Sequence, residues 1–219
     1  MSFPATCHSA IVRLHEGDEA VRRQSYEVII GAYWQPVRQY LRLQWSENEA
    51  DAEELAQAFF SKAIESGTFL RYAAEKGTFR TYLRSCLDHF VLNARNKASR
   101  RQPVPLDFDV AARRAGPEEL FHREFVRSLF HLAVEDLRSS EDPLRFEVFQ
   151  RYDLSEDEVR PTYHDLATEF GVTVVSITNY LAAMRRAFRK AVLKRLQELT
   201  ATEREFQAEA RDILGVDIP

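Results

Sequence analysis

The adjacent pair His164-Asp165 is where catalytic chemistry would first be sought in this sequence, because an imidazole and a carboxylate side by side can hold a metal ion that activates water. Metal-dependent phosphohydrolases of helical fold use such a pair, but they also need further His and Asp ligands on neighbouring helices. The other histidines, His8, His15, His89, His122 and His131, show no ligand spacing. Cys7 and Cys86 are too few for a disulfide framework or a cysteine zinc site, and they suit a reducing compartment. Cys86 falls in the apolar series Phe79, Tyr82, Leu83, Cys86, Leu87 and Phe90, which predicts a small buried core residue, while His89 is expected to be solvated. No catalytic residue, cofactor or metal site is expected, and the chain does not read as an enzyme. What remains is recognition by charge and shape.

The formal net charge of −4 over 219 residues speaks against a nucleic-acid partner only until it is resolved along the chain. From Phe69 to Arg101, eight Lys or Arg stand against two acids, Glu75 and Asp88. From Val174 to Gln197 there are six Lys or Arg and no acid. The stretch Glu47 to Ser66 is the reverse, with Glu47, Glu49, Asp51, Glu53, Glu54 and Glu65 against Lys62. Two basic surfaces and one acidic surface imply separate partners. A merely solvated helix usually mixes signs to gain pairs four residues apart, so the acid-free run asks for an anion.

Helices must position these groups, since apolar residues recur at helical spacing almost throughout. The expected fold is all-α: two helical domains joined by a proline-containing linker, the second carrying a helix-turn-helix, plus a short C-terminal helix. The ranges are an N-terminal extension 1–24, a first domain 25–101, a linker 102–117 bearing Pro103, Pro105, Gly116 and Pro117, a second domain 118–199, and a C-terminal extension 200–219. Within the first domain, Tyr26 to Leu43 reads as helix, with Pro36 kinking it or starting a new one. Ser46-Glu47-Asn48-Glu49 fits a capping box opening a helix that Ser66-Gly67 ends, and a further helix is expected from Thr78 to Arg100, with Arg80, Arg84 and Arg95 on its outer face. Thr202-Glu203-Arg204-Glu205 fits a second box, opening a terminal helix expected to fold on the second domain. No apolar run approaches the roughly 20 residues of a spanning helix. Met1-Ser2-Phe3-Pro4 lacks the pattern of a secretory signal, so a cytoplasmic protein without a membrane partner is expected.

The helix-turn-helix follows from the residues between Thr162 and Leu196. Thr162 can cap the first helix, Leu166, Ala167 and Phe170 give it a buried side, and Gly171 supplies the left-handed residue that ends it. Thr173 caps the second helix, whose inward face is Ile177, Tyr180, Leu181, Met184, Ala187, Phe188 and Ala191. At its leading end Thr173, Val174, Val175, Ser176, Thr178 and Asn179 are placed to meet base edges. Arg185, Arg186, Arg189 and Lys190 lie farther back, where phosphates would be. The other basic segment mixes Phe69, Arg71, Tyr72, Lys76, Phe79, Arg80, Tyr82 and Arg84, which suits bases stacked on rings and phosphates held by cations. Half of those aromatics are also wanted by a core, so both readings stand.

The order of these motifs resembles the extracytoplasmic-function sigma factors, the minimal two-domain members of the sigma-seventy family of bacterial RNA polymerase. The resemblance covers about Ser25 to Leu199 and rests on three pieces: Asp51-Ala52-Glu53-Glu54-Leu55-Ala56-Gln57-Ala58-Phe59-Phe60, Gly77-Thr78-Phe79-Arg80-Thr81-Tyr82-Leu83, and Tyr163 to Val172. It implies that Asp51, Glu53, Glu54, Gln57 and Phe60 bind core RNA polymerase. Lys76, Thr78, Phe79, Arg80, Tyr82, Arg84 and Arg95 would handle the melted minus-ten promoter element, and the helix from Thr173 would read the minus-thirty-five element. Promoter DNA and core polymerase are the implied partners, with an anti-sigma protein or a kinase as candidates for restraint. Ala58 departs from the family pattern, where an acid commonly follows Gln57. The competing reading is a helix-turn-helix regulator that binds DNA without joining polymerase; the acidic helix argues against it.

Overall fold

The computed structural model describes residues 9–99, 116–155 and 159–215, and every regular element among them is helical. The chain divides into two compact units, residues 1–129 with 196–219, and residues 130–195. The division falls inside two helices. Of the expected linker, residues 102–115 lie outside the described part.

The first unit contains α1 (Ala10–Arg13), α2 (Glu19–Trp45), α3 (Glu49–Glu65), α4 (Phe79–Ser99), the first part of α5 (Pro117–Ser140), the last residues of α8 (Val174–Glu198) and α9 (Glu203–Leu214). Two single turns of 3-10 helix, Phe69–Arg71 and Ala74–Lys76, join α3 to α4. Pro36 starts no new helix, and α2 runs through it. A proline lacks the N–H that would bond the carbonyl four residues back. The orphaned carbonyl, Ala32 O, accepts instead from the Ser128 hydroxyl of α5 at 2.8 Å, a partner no local reading reveals. The expected box at Ser46 is also replaced. Ser46 closes α2 in the left-handed region (φ 56°), and Asn48 caps α3, accepting from Asp51 N at 3.0 Å. Glu49 is drawn off to Arg38 and Arg42, at 2.6 and 2.9 Å.

Aromatic rings fill this unit. Tyr33 of α2 lies fully buried, edge-on to Phe79 of α4 at 5.7 Å and stacked on Phe125 of α5 at 5.0 Å. Rings so placed contribute about 0.5–1.5 kcal/mol per pair beyond the burial of their area.

The second unit holds the remainder of α5, then α6 (Pro143–Asp153), α7 (Tyr163–Phe170) and most of α8. Asp142 caps α6, with Pro143 in its first turn where a missing N–H costs nothing. Leu137, Phe146, Phe149, Leu166, Ile177, Leu181 and Met184 interlock as its core. Arg195 of α8 is bidentate on Asp136 of α5, at 2.7 and 2.5 Å.

Candidate functional site

The turn between α7 and α8 is built as its residues dictate. The Thr162 hydroxyl accepts from Asp165 N at 3.2 Å while the Asp165 carboxylate accepts from Thr162 N at 2.9 Å, a reciprocal box that satisfies two orphan amides. Asp165 is thereby a cap rather than a metal ligand, and the Thr162 hydroxyl holds its carboxyl below the usual carboxylate range. Gly171 takes φ 64°, and Val172 N returns to Ala167 O at 3.0 Å. A left-handed residue one step past the helix is cheapest as glycine. Thr173 then caps α8, accepting from Ser176 N at 3.1 Å.

The predicted base-reading positions divide by exposure. Thr173, Val174, Val175, Thr178 and Asn179 are exposed, and Val175 is 69% so. Ser176 is half-buried, its hydroxyl engaged with that of Thr173 at 2.9 Å, and the Thr178 hydroxyl leans back to Val174 O at 3.1 Å. Farther along, Arg186, Arg189, Lys190 and Lys194 are exposed. Arg185 differs. It forks onto Asp153 at 2.8 and 2.9 Å and lies over the Tyr152 ring, and the Asp153 hydrogen bonds raise its affinity for the proton.

On α4 the predicted residues turn inward. Phe79 is fully buried, a core ring rather than a stacking platform. Arg80 is buried too, with Nη2 3.1 Å from Glu209 Oε1 of α9 and Nη1 3.4 Å from Glu118 of α5. Arg84 bridges Glu118 and Asp88 at 2.6 and 2.7 Å. Arg95 covers the Trp45 ring, donating to Trp45 O at 2.7 Å and Glu47 at 2.5 Å. Arg80, Arg84 and Arg95 are therefore not free to meet DNA as expected: each is claimed by a carboxylate from another element or turn. Thr78 acts locally, its hydroxyl accepting from Thr81 N at 3.3 Å. Lys76 stays exposed, and with Arg71, Tyr72, Tyr82 and Ser85 it lines a cleft of about 240 Å³. The Tyr72 and Tyr82 hydroxyls are tied to Gly77 O and Thr68 O, both at 2.8 Å, which fixes the two rings.

The acidic helix also divides. Asp51, Glu53, Glu54 and Gln57 are exposed along α3, but the Asp51 carboxylate accepts from the Asn48 amide at 2.7 Å and belongs to the cap. Phe60 is buried and stacked against Trp34 at 5.8 Å, so its ring is core and not a contact surface. Cys86 is half-buried rather than core, lining a second cleft with His89 and Phe90, and burial pushes its thiol up.

Sequence reasoning missed the carboxylates that meet α4. Glu205 accepts from Phe79 N at 2.7 Å and Ala201 N at 2.7 Å, capping α4 from α9. The helix α9 thus sits against the start of α5, within the expected second domain, and also against α4 of the expected first. A signal existed: Glu205, Glu209 and Asp212, spaced four and three apart, fall on one helical face. Burial pushes the Glu205 carboxyl above its ordinary range, outweighing the Phe79, Ala201 and Tyr72 hydrogen bonds that pull it down.

No protein-family model matches the chain, and no curated protein or solved structure matches it.

Proposed function

We propose that the chain is a sigma-type transcription-initiation factor, which joins core RNA polymerase and reads promoter DNA through α7 and α8 used as a helix-turn-helix. The observation that carries the reading is α8: behind a doubly capped turn, small and polar side chains lead, and exposed Arg186, Arg189, Lys190 and Lys194 follow with no acid among them. A leading end of that size enters a major groove, and cations behind it neutralise phosphates. The exposed Glu53, Glu54 and Gln57 of α3 supply the surface for polymerase, and the Arg71–Tyr72–Lys76–Tyr82 cleft suits an unstacked base beside a phosphate. No step of chemistry is assigned to the chain itself.

One observation favours the rival, a DNA-binding regulator that never joins polymerase: Arg80, Arg84 and Arg95 are already engaged within the chain and offer melted DNA little charge. A pull-down with core polymerase separates the two. The sigma reading expects stable capture that is lost in a Glu53→Lys, Glu54→Lys double variant with unchanged helix content; Asp51 is spared because it serves the cap. Duplex-DNA binding without capture of core would give the case to the regulator.

A further inference from the structure

Where α9 meets α5, His122, Glu209 and Asp212 each bring one donor atom to within 4.8 Å of the other two. Glu209 is buried, 4% exposed as a residue. Its Oε1 receives Arg80 Nη2 at 3.1 Å and Nε at 3.3 Å, but its Oε2 is buried with no hydrogen-bond partner. His122 Nε2 is likewise buried and unpartnered. It lies 3.2 Å from Asp212 Oδ2 as an ion-pair distance, yet the two are not aligned as a hydrogen bond. A buried polar atom left without a partner is costly, and here two of them converge on one point from different helices.

Glu118, Glu209 and Asp212 lie around Arg80, and Arg84 is shared between Glu118 and Asp88. The Arg80 guanidinium reaches Glu209 closely but stands 3.9 Å from Asp212, too far for a hydrogen bond. A carboxylate so placed beside an unpartnered imidazole nitrogen suits a further cation.

We propose that His122, Glu209 and Asp212 form a binding site for a divalent cation of the zinc class. One imidazole nitrogen with two carboxylate oxygens is the donor set of zinc and neighbouring first-row ions; magnesium and calcium prefer all-oxygen shells. Asp212, 55% exposed, leaves a side open to solvent, so water completes the shell and the ion has a path in. Arg80 holds the other oxygen of Glu209 and fixes that carboxylate's orientation, the usual service of an outer partner. Because the ligands come from α5 and α9, the ion ties the C-terminal helix into the first unit. The site does not depend on the sigma reading.

The test uses the full chain, stripped with a chelator and titrated separately with Zn²⁺, Co²⁺ and Mg²⁺. The expected result is one Zn²⁺ bound per chain with a rise in melting temperature, and visible Co²⁺ absorption of low-coordinate type. His122→Asn and Asp212→Asn should each lower Zn²⁺ affinity about tenfold or more and remove the Co²⁺ signal. Asp212 is exposed enough that its variant keeps the fold, checked by helix content. Failure to bind Zn²⁺ stoichiometrically, affinity in both variants equal to that of the unsubstituted chain, or stabilisation by Mg²⁺ as large as by Zn²⁺ would each overturn the proposal.

Discussion

The two basic stretches of this chain are alike in composition and opposite in use. Along α4 the arginines are consumed internally: Arg80 by Glu209 and Glu118, Arg84 by Glu118 and Asp88, Arg95 by Glu47 and the Trp45 ring. Along α8, Arg185 is tied to Asp153 and Arg195 to Asp136, while Arg186, Arg189, Lys190 and Lys194 remain exposed. The difference lies in the opposing surfaces. The stretch of α4 meets acids carried by α5 and α9, whereas Arg186, Arg189, Lys190 and Lys194 of α8 meet none among the described residues. A run of cations is therefore structural or ligand-seeking according to what folds against it, and not according to its own sequence.

The sharpest way to break this contrast is Arg80→Met. Removing the guanidinium strands two carboxylates, one of them buried, and should cost about 3–5 kcal/mol in urea denaturation. A loss below about 1 kcal/mol would make Arg80 no more structural than a surface cation. Arg186→Ala and Arg189→Ala should do the converse. Each should leave stability within about 0.5 kcal/mol. Each should also weaken duplex binding whatever the sequence and reduce the slope of log affinity against log salt by about 1. An unchanged slope in both variants would remove phosphate contact from this face.

Arg185→Ala should fall between the two classes. Its pair with Asp153 is bidentate but half-exposed, so about 0.5–1 kcal/mol of stability is at stake, with a smaller effect on duplex binding than Arg186→Ala. A DNA defect equal to that of Arg186→Ala would show that Asp153 releases Arg185 when DNA arrives.

The smallest effects concern pH at the acids facing α4. Burial pushes the Glu118 carboxyl up, but the Thr81 hydroxyl and Arg84 outweigh it and hold the group below its ordinary value of 4.5. Its stabilisation is thus present above that pH and lost as pH falls through the folded value. Glu205 is shifted the other way, so its contribution is lost as pH rises from 4.5 through its raised value. Urea midpoints followed across this range should show Glu118→Gln flattening the loss of stability in acid and Glu205→Gln steepening the rise above pH 4.5. A change of the same sign in both would contradict the opposed shifts.

Much of the molecule was legible locally. Thr162, Gly171 and Thr173 set the turn before α8 because caps and left-handed glycines act within four residues of where they stand. The apolar periodicities placed α3, α4, α7 and α8 within a residue or two, and the acid-free outer face of α8 could be read from spacing alone. That α2 runs on through Pro36 was not legible because the partner of the freed carbonyl, Ser128, lies on another element. Phe60 and Phe79 were offered as contact residues because an aromatic on an amphipathic helix looks the same whether it faces a core or a ligand.

The sequence by itself determined the helices, the caps of α7 and α8 and the separation of charge into acidic and basic stretches, since these depend on neighbours a few residues away. Only the tertiary structure decided which charges remain available. Glu209 meets Arg80, and His122 meets Asp212, across separations that no periodicity spans. Electrostatic attraction and burial act through space, so the partners of α4 were fixed only when α5 and α9 folded against it.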